Sequence, residues 1–220
     1  TFGESGRFLI ALESNVQVVD RQDLDSGGAI PIPAGESTVE VTSDQSEIEI
    51  GSADMVALND LELRVGGNAD LWSEVFTKSY GLAGAATAKA LASYQMDHKI
   101  TLKSGASLVS EENIALLIGR GFEDVQDVKI TAEARAFNRT AIPISTNPVG
   151  TASANTTATI AIGNGAQIRA EGDVALETVD GRRELTGYGQ GKDLYQEVAA
   201  EIANVFTSDE NGDPISIESE

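Results

Sequence analysis

His98, the only histidine of this 220-residue chain, stands beside Asp97. That pair is the orienting half of a Ser-His-Asp system, which also needs a nucleophile exposed on a sharp turn. No Gly-x-Ser-x-Gly segment supplies one, so His98 is expected to be structural or solvent-facing, and no catalytic residue is assigned. Hard-cation chemistry has better material. Asp209, Asn211 and Asp213 form an Asp-x-Asn-x-Asp run, the first half of an EF-hand-like loop, although Pro214 replaces its glycine. Calcium takes several oxygen ligands and is the cofactor such a run suits. Asp20, Asp23 and Asp25, ahead of Gly27-Gly28, form a second acidic cluster of the same kind. Polysaccharide cleavage would need clustered carboxylates with arginine. Asp173, Arg182, Arg183 and Glu184 could be arranged that way, but related segments carry Asn113 and Asp60 at the place of Asp173, as a turn position would. Gly163-Asn164-Gly165 lacks the following glycine and lysine of a phosphate loop. Asn138-Arg139-Thr140 and Asn155-Thr156-Thr157 match the N-glycosylation sequon.

The elements that must position these groups are set by an unusual composition. There are 35 acidic against 15 basic residues, for a net charge of −20, with 22 glycines, no cysteine and only 5% aromatics. Such acidity repels nucleic acid and anionic lipid. Absent cysteine excludes disulfides, thiolate catalysis and Cys-ligated zinc. No apolar run is long enough to cross a membrane as a helix. Thr1-Phe2-Gly3-Glu4 is expected to be the cut edge of something longer.

Internal repetition is the strongest signal. Ile100-Thr101-Leu102, then Gly105-Ala106-Ser107-Leu108 and Asn113-Ile114-Ala115-Leu116, recurs sixty residues later as Ile160-Ala161-Ile162, Gly165-Ala166-Gln167-Ile168 and Asp173-Val174-Ala175-Leu176. A shorter copy runs through Ile48, Ile50, Met55, Leu61 and Leu63. Alternating apolar residues argue strands, and Gly105 and Gly165 argue tight turns. Asn113, Asp173 and Asn59-Asp60 are expected to tolerate left-handed geometry at the second corner. Even positions from Leu82 to Ile100 are expected to face inward, as a strand and not as a helix of the Ala-rich stretch 82–92. In residues 29–45 that phase fails: Val39 and Val41 are out of step, and Glu36 and Glu40 sit where apolar groups were due. A longer offset of 112 relates Ala29-Ile30-Pro31-Ile32 to Ala141-Ile142-Pro143-Ile144. Residues 1–28 are therefore taken as the tail of a preceding unit, 29–140 as unit one and 141–220 as an incomplete unit two. Leu194, Val198, Ile202, Val205 and Phe206 line one face of an expected amphipathic helix, 193–206, that packs on or caps the strand body.

The repeated segments, with Tyr80-Gly81-Leu82-Ala83-Gly84 and Asp193-Leu194-Tyr195, resemble the filamentous-haemagglutinin-type β-helical repeats of giant bacterial surface proteins. The resemblance implies secretion, a much longer chain, and a role in attachment or as an extracellular fibre. The expectation is thus a mainly β, parallel β-solenoid with one short helix, acting without catalysis. Its partners would be neighbouring repeats or copies of itself and a surface target such as a glycan. A polysaccharide lyase or hydrolase is the alternative.

Overall fold

A computed structural model describes residues 7–121, 125–179 and 181–194 of the chain. Ten strands follow one another: β1 (Phe8–Gly28), β2 (Ala34–Ile50), β3 (Asp54–Ala57), β4 (Leu61–Leu102), β5 (Ser107–Ser110), β6 (Ile114–Ile118), β7 (Asp127–Ile162), β8 (Gln167–Ala170), β9 (Val174–Thr178) and β10 (Arg182–Asp193). One sheet is ordered β10-β7-β4-β6-β9, with β1 and β2 also pairing along β4; β3-β5-β8 form a second sheet. Every pairing between these strands is parallel. The mainly β expectation holds. The helix expected over 193–206 starts at Asp193, which instead ends β10; residues 195–206 lie outside the described residues.

The register places like on like. Ile48 pairs with Ile100 and Ile100 with Ile160; Met55, Leu108 and Ile168 form a second row; Leu63, Leu116 and Leu176 form a third. Register is strongly specified because a one-residue slip would turn each apolar side chain to the opposite face. At the turn after the first row, Gly105 and Gly165 have φ of 84° and 83°, a region that side chains with a Cβ enter only with strain. The second corner works differently from the expectation. Among the described residues no residue other than glycine has positive φ. The corner is held by side chains instead: Asn113 Nδ2 donates to Asp60 Oδ1 at 2.9 Å, and Asp173 N donates to Asn113 Oδ1 at 2.8 Å.

β4 bends back on itself around residues 80–84. Its first limb contributes Ala69, Leu71 and Val75 to one core, and its second limb contributes Ala86, Ala88, Ala90, Ala92, Tyr94 and Met96 to the same core. The even positions from 84 to 100 are buried, as alternation required, and the Ala-rich stretch is strand; Leu82, at the bend, is instead 64% exposed. Propensity for helix loses here because alanine at alternate positions lets two sheets approach where larger side chains would hold them apart. A second core of Leu61, Leu63, Ile100, Leu102, Leu108, Ile114 and Leu116 fills the end formed with the short sheet.

The irregular segment 29–45 has a simple cause. β2 pairs in step up to Val41–Tyr94 and resumes at Asp44–Met96, so one extra residue bulges out between them. Inward positions are odd before the bulge and even after it. Val39, out of step by the sequence pattern, is 3% exposed in the core, and Glu36 and Glu40 face solvent.

Candidate functional site

The first limb of β4 lies between β1 and β7, and β10 flanks β7. Alternation therefore builds an outward face whose rows cross four strands. One row is Gln17, Asp70, Lys129 and Glu184, and another is Val19, Trp72, Thr131 and Thr186. A groove of about 1020 Å³ opens at the start of this face. Its walls include Asn15, Gln17, Asn68, Asp70, Asp127, Lys129 and Arg182. Asn68 organises it, donating from Nδ2 to Asn15 Oδ1 at 3.1 Å and accepting at Oδ1 from Asp127 N at 2.9 Å.

Elsewhere on this face several charged groups satisfy one another. Arg21 pairs with Glu74 at 3.2 Å and lies 4.3 Å from the Trp72 ring centroid; Arg135 pairs with Glu133 at 2.9 Å. Lys78 Nζ lies 4.1 Å from the centre of the Phe76 ring, which meets Phe137 edge-on at 5.0 Å. In the groove the pattern breaks. The side-chain heads of Gln17, Asp70, Asp127 and Lys129 make no hydrogen bond or ion pair with any described residue. The buried Nε1 of Trp72, two residues beyond Asp70 on the same face, is also without a hydrogen-bond partner.

Among the described residues, those singled out by sequence do not converge. Asp20, Asp23 and Asp25 lie on β1, not in a loop, and alternation sends Asp20 to the opposite face from the other two. Asp20 accepts from Ser37 Oγ at 2.6 Å, and Ser37 in turn receives Ser73 Oγ at 2.7 Å. Asp23 and Asp25 share the Lys78 ammonium at 3.7 and 3.5 Å. Asp209, Asn211 and Asp213 lie outside the described residues. Asp173 belongs to the corner ladder before β9, whereas Arg182 opens β10, pairs with Glu184 at 3.0 Å and reaches the groove.

His98 is fully buried, facing inward on β4, and neither ring nitrogen has a partner among the described residues. Burial lowers its pKa from the usual 6.5, opposed by the Asp44 and Asp97 charges. Asp44, next to the bulge, accepts hydrogen bonds from Tyr94 Oη at 2.5 Å and Ser14 Oγ at 2.8 Å. Burial, then the Asp44 carboxylate, pushes the Tyr94 phenol well above its usual 10. Such a cluster is enclosed and offers a substrate no access. The sequon Asn138-Arg139-Thr140 is likewise enclosed. Asn138 and Thr140 are fully buried; Asn138 Nδ2 donates to Gly84 O at 2.5 Å, and Ser79 and Thr140 hydroxyls donate to its Oδ1 at 2.9 and 2.7 Å.

Compared with protein-family models, with curated proteins and with solved structures, the chain matches none. The groove was missed at the level of sequence because its residues come from segments 53 and 59 positions apart, joined only by strand register. One signal was present. Asn15 and Asn68 stand at equivalent places in successive segments, each after an alternating run (Phe8-Leu9-Ile10-Ala11-Leu12 and Leu61-Glu62-Leu63-Arg64-Val65).

Proposed function

We propose that the chain is a non-catalytic segment of a parallel β-solenoid, part of a large extracellular bacterial surface protein or fibre. One observation carries this. The apolar rows are covered in the middle and bare at both ends. Leu63, Ile100 and Leu116 are fully buried, whereas Leu12 and Leu24 on β1 are 37% and 38% exposed, and Ile162, Val174 and Leu176 are 46%, 48% and 46% exposed. In a stack of turns each hides the apolar face of its neighbour, so terminal turns stay bare until another joins. Equivalent corner residues lie 53 and then 60 positions apart, which is the length of one turn of chain. Residues 29–33 lie over 83–87, bonded Ala83 N to Ala29 O and Ala85 N to Pro31 O, and Ala83 lies beside Ile142. The 112-residue offset is then two turns, unit 29–140 is a two-turn repeat, and unit 141–220 is an incomplete one.

Neighbouring repeats or copies of the chain are the partners of the bare ends. The resemblance to filamentous-haemagglutinin-type repeats supports the extracellular, adhesive setting. Ile142 and Ile144 on β7 are 60% and 63% exposed and add to the apolar surface a partner would cover. Calcium would enter through Asp209, Asn211 and Asp213 and bridge copies. Light scattering over a concentration series tests the proposal. End-to-end association that grows with concentration is the expected result, and a chain that stays monomeric into the millimolar range refutes it. Repeating the series with a chelator tells whether calcium takes part. The alternative of a polysaccharide-active enzyme draws on Asp70 and Asp127 in the groove. Release of reducing ends from a polysaccharide, lost on Asp70→Asn, would favour it.

A further inference from the structure

We infer that the groove crossing β1, β4, β7 and β10 binds a neutral, hydroxyl-rich oligosaccharide. This rests on the adhesive role proposed above and names the chemistry of its target. Three features of the groove point the same way. First, its polar heads are unspent: Gln17, Asp70, Asp127 and Lys129 have no partner among the described residues, while Arg21 and Arg135 further along the face are paired with Glu74 and Glu133. Amides and carboxylates of this kind accept and donate to hydroxyls at fixed positions, the usual basis of orientation in a polar site. Second, the charges do not favour an acid. With Glu184 paired to Arg182, three carboxylates (Asp70, Asp127, Glu184) face two cations (Lys129, Arg182), and the net charge of −20 repels a polyanion. An uncharged ligand is favoured over an acidic one.

Third, the shape suits a chain laid across the strands. Each strand contributes at least one polar wall residue: Asn15 and Gln17 from β1, Asn68 and Asp70 from β4, Asp127 and Lys129 from β7, Arg182 from β10. Strands are about 4.8 Å apart, so the row spans about 14 Å, the length of a short oligosaccharide. An extended peptide fits less well. Peptides commonly add to an open strand edge, but β4 and β7 are paired on both sides here. The bare edges of the sheet lie at its ends, away from the middle of the groove.

Trp72 makes the test direct, because it is the only tryptophan in the chain and shares the outward face with Asp70. Cellohexaose and chitohexaose would be titrated against the full chain, following tryptophan fluorescence and, independently of the ring, heat by calorimetry. Hexagalacturonate serves as the acidic counterpart and an uncharged polar peptide as the competing class. Saturable binding of a neutral hexasaccharide, weakened at least tenfold by Gln17→Ala and by Arg182→Ala and unchanged by Gln95→Ala on the other limb, is expected. No binding of either neutral sugar, tighter binding of the acidic sugar or the peptide, or equal loss in all three variants overturns the assignment. Light scattering on the same samples reads association through the ends separately. A chain that associates but binds no sugar refutes only this site, and one that does not associate refutes the scaffold.

Discussion

Replacing Leu116 by alanine should cost far more than the same change at Leu176, although the two occupy one row. Leu63, Leu116 and Leu176 are in register on β4, β6 and β9. Leu63 and Leu116 are fully buried, and Leu176 is 46% exposed. For an interior leucine, lost transfer energy and the residual cavity together cost about 2–5 kcal/mol. Leu176 has given up only about half of its exposure, so about half of the ~2 kcal/mol transfer value is at stake, and an open end leaves no closed cavity. A difference of about 2 kcal/mol is therefore expected, with Leu63→Ala resembling Leu116→Ala. Urea unfolding followed by far-UV circular dichroism reads it, with Trp72 fluorescence as a second probe of the same transition. Costs equal within about 0.5 kcal/mol would show that the rows do not stack as described. A further check lies in the conditions: where ends associate, Leu176 gains a neighbour and its cost should climb toward the interior value.

Two further outcomes follow from buried groups. His98 has its pKa lowered by burial, so the unfolded chain takes up its proton first; stability should fall as pH drops below about 6.5, the ordinary histidine value. His98→Leu should flatten that acid limb between pH 7 and 5, measured as the urea midpoint, and an unchanged slope would contradict the burial. Tyr94 is shifted the opposite way for the same reason, so stability should also decline above pH 10, where the unfolded phenol ionises first. Produced in a glycosylating host, the chain should carry sugar at exposed Asn155 and none at buried Asn138, as peptide mass mapping would show.

What could be foreseen and what could not divide along one physical line. Rows such as Ile48, Ile100 and Ile160 announce themselves because each copy must bury the same position, so register leaves a period in the sequence. The one-residue bulge beyond Val41 also left a trace, the lost phase of Val39 and Val41, but a phase change does not say which side is inside. Sidedness came from the partner strand, where Tyr94 and Met96 were already fixed inward. The fate of isolated acids was harder. Asp20, Asp23 and Asp25 look alike in sequence, and their roles separate only because alternation and the neighbours Ser37 and Lys78 differ. The groove needed three or four strands at once, which no local window contains.

The buried polar groups answer a difficulty that the alanine-rich limbs create. Small residues bury little apolar area, so a two-residue slip of Ala88 against its neighbours, which keeps inside and outside intact, would forfeit little hydrophobic energy. Hydrogen-bonded clusters make such a slip expensive, because every displaced donor or acceptor would stay buried and unpaired. The described clusters are spaced along the limb: Ser79, Asn138 and Thr140 near the bend, Ser37 and Ser73 with Asp20 in the middle, and Ser14, Asp44 and Tyr94 toward the far end. Each joins different strands, so together they pin β1, β2, β4 and β7. An apolar core of alanine sets how closely the sheets approach, and the polar clusters set which residue lies against which.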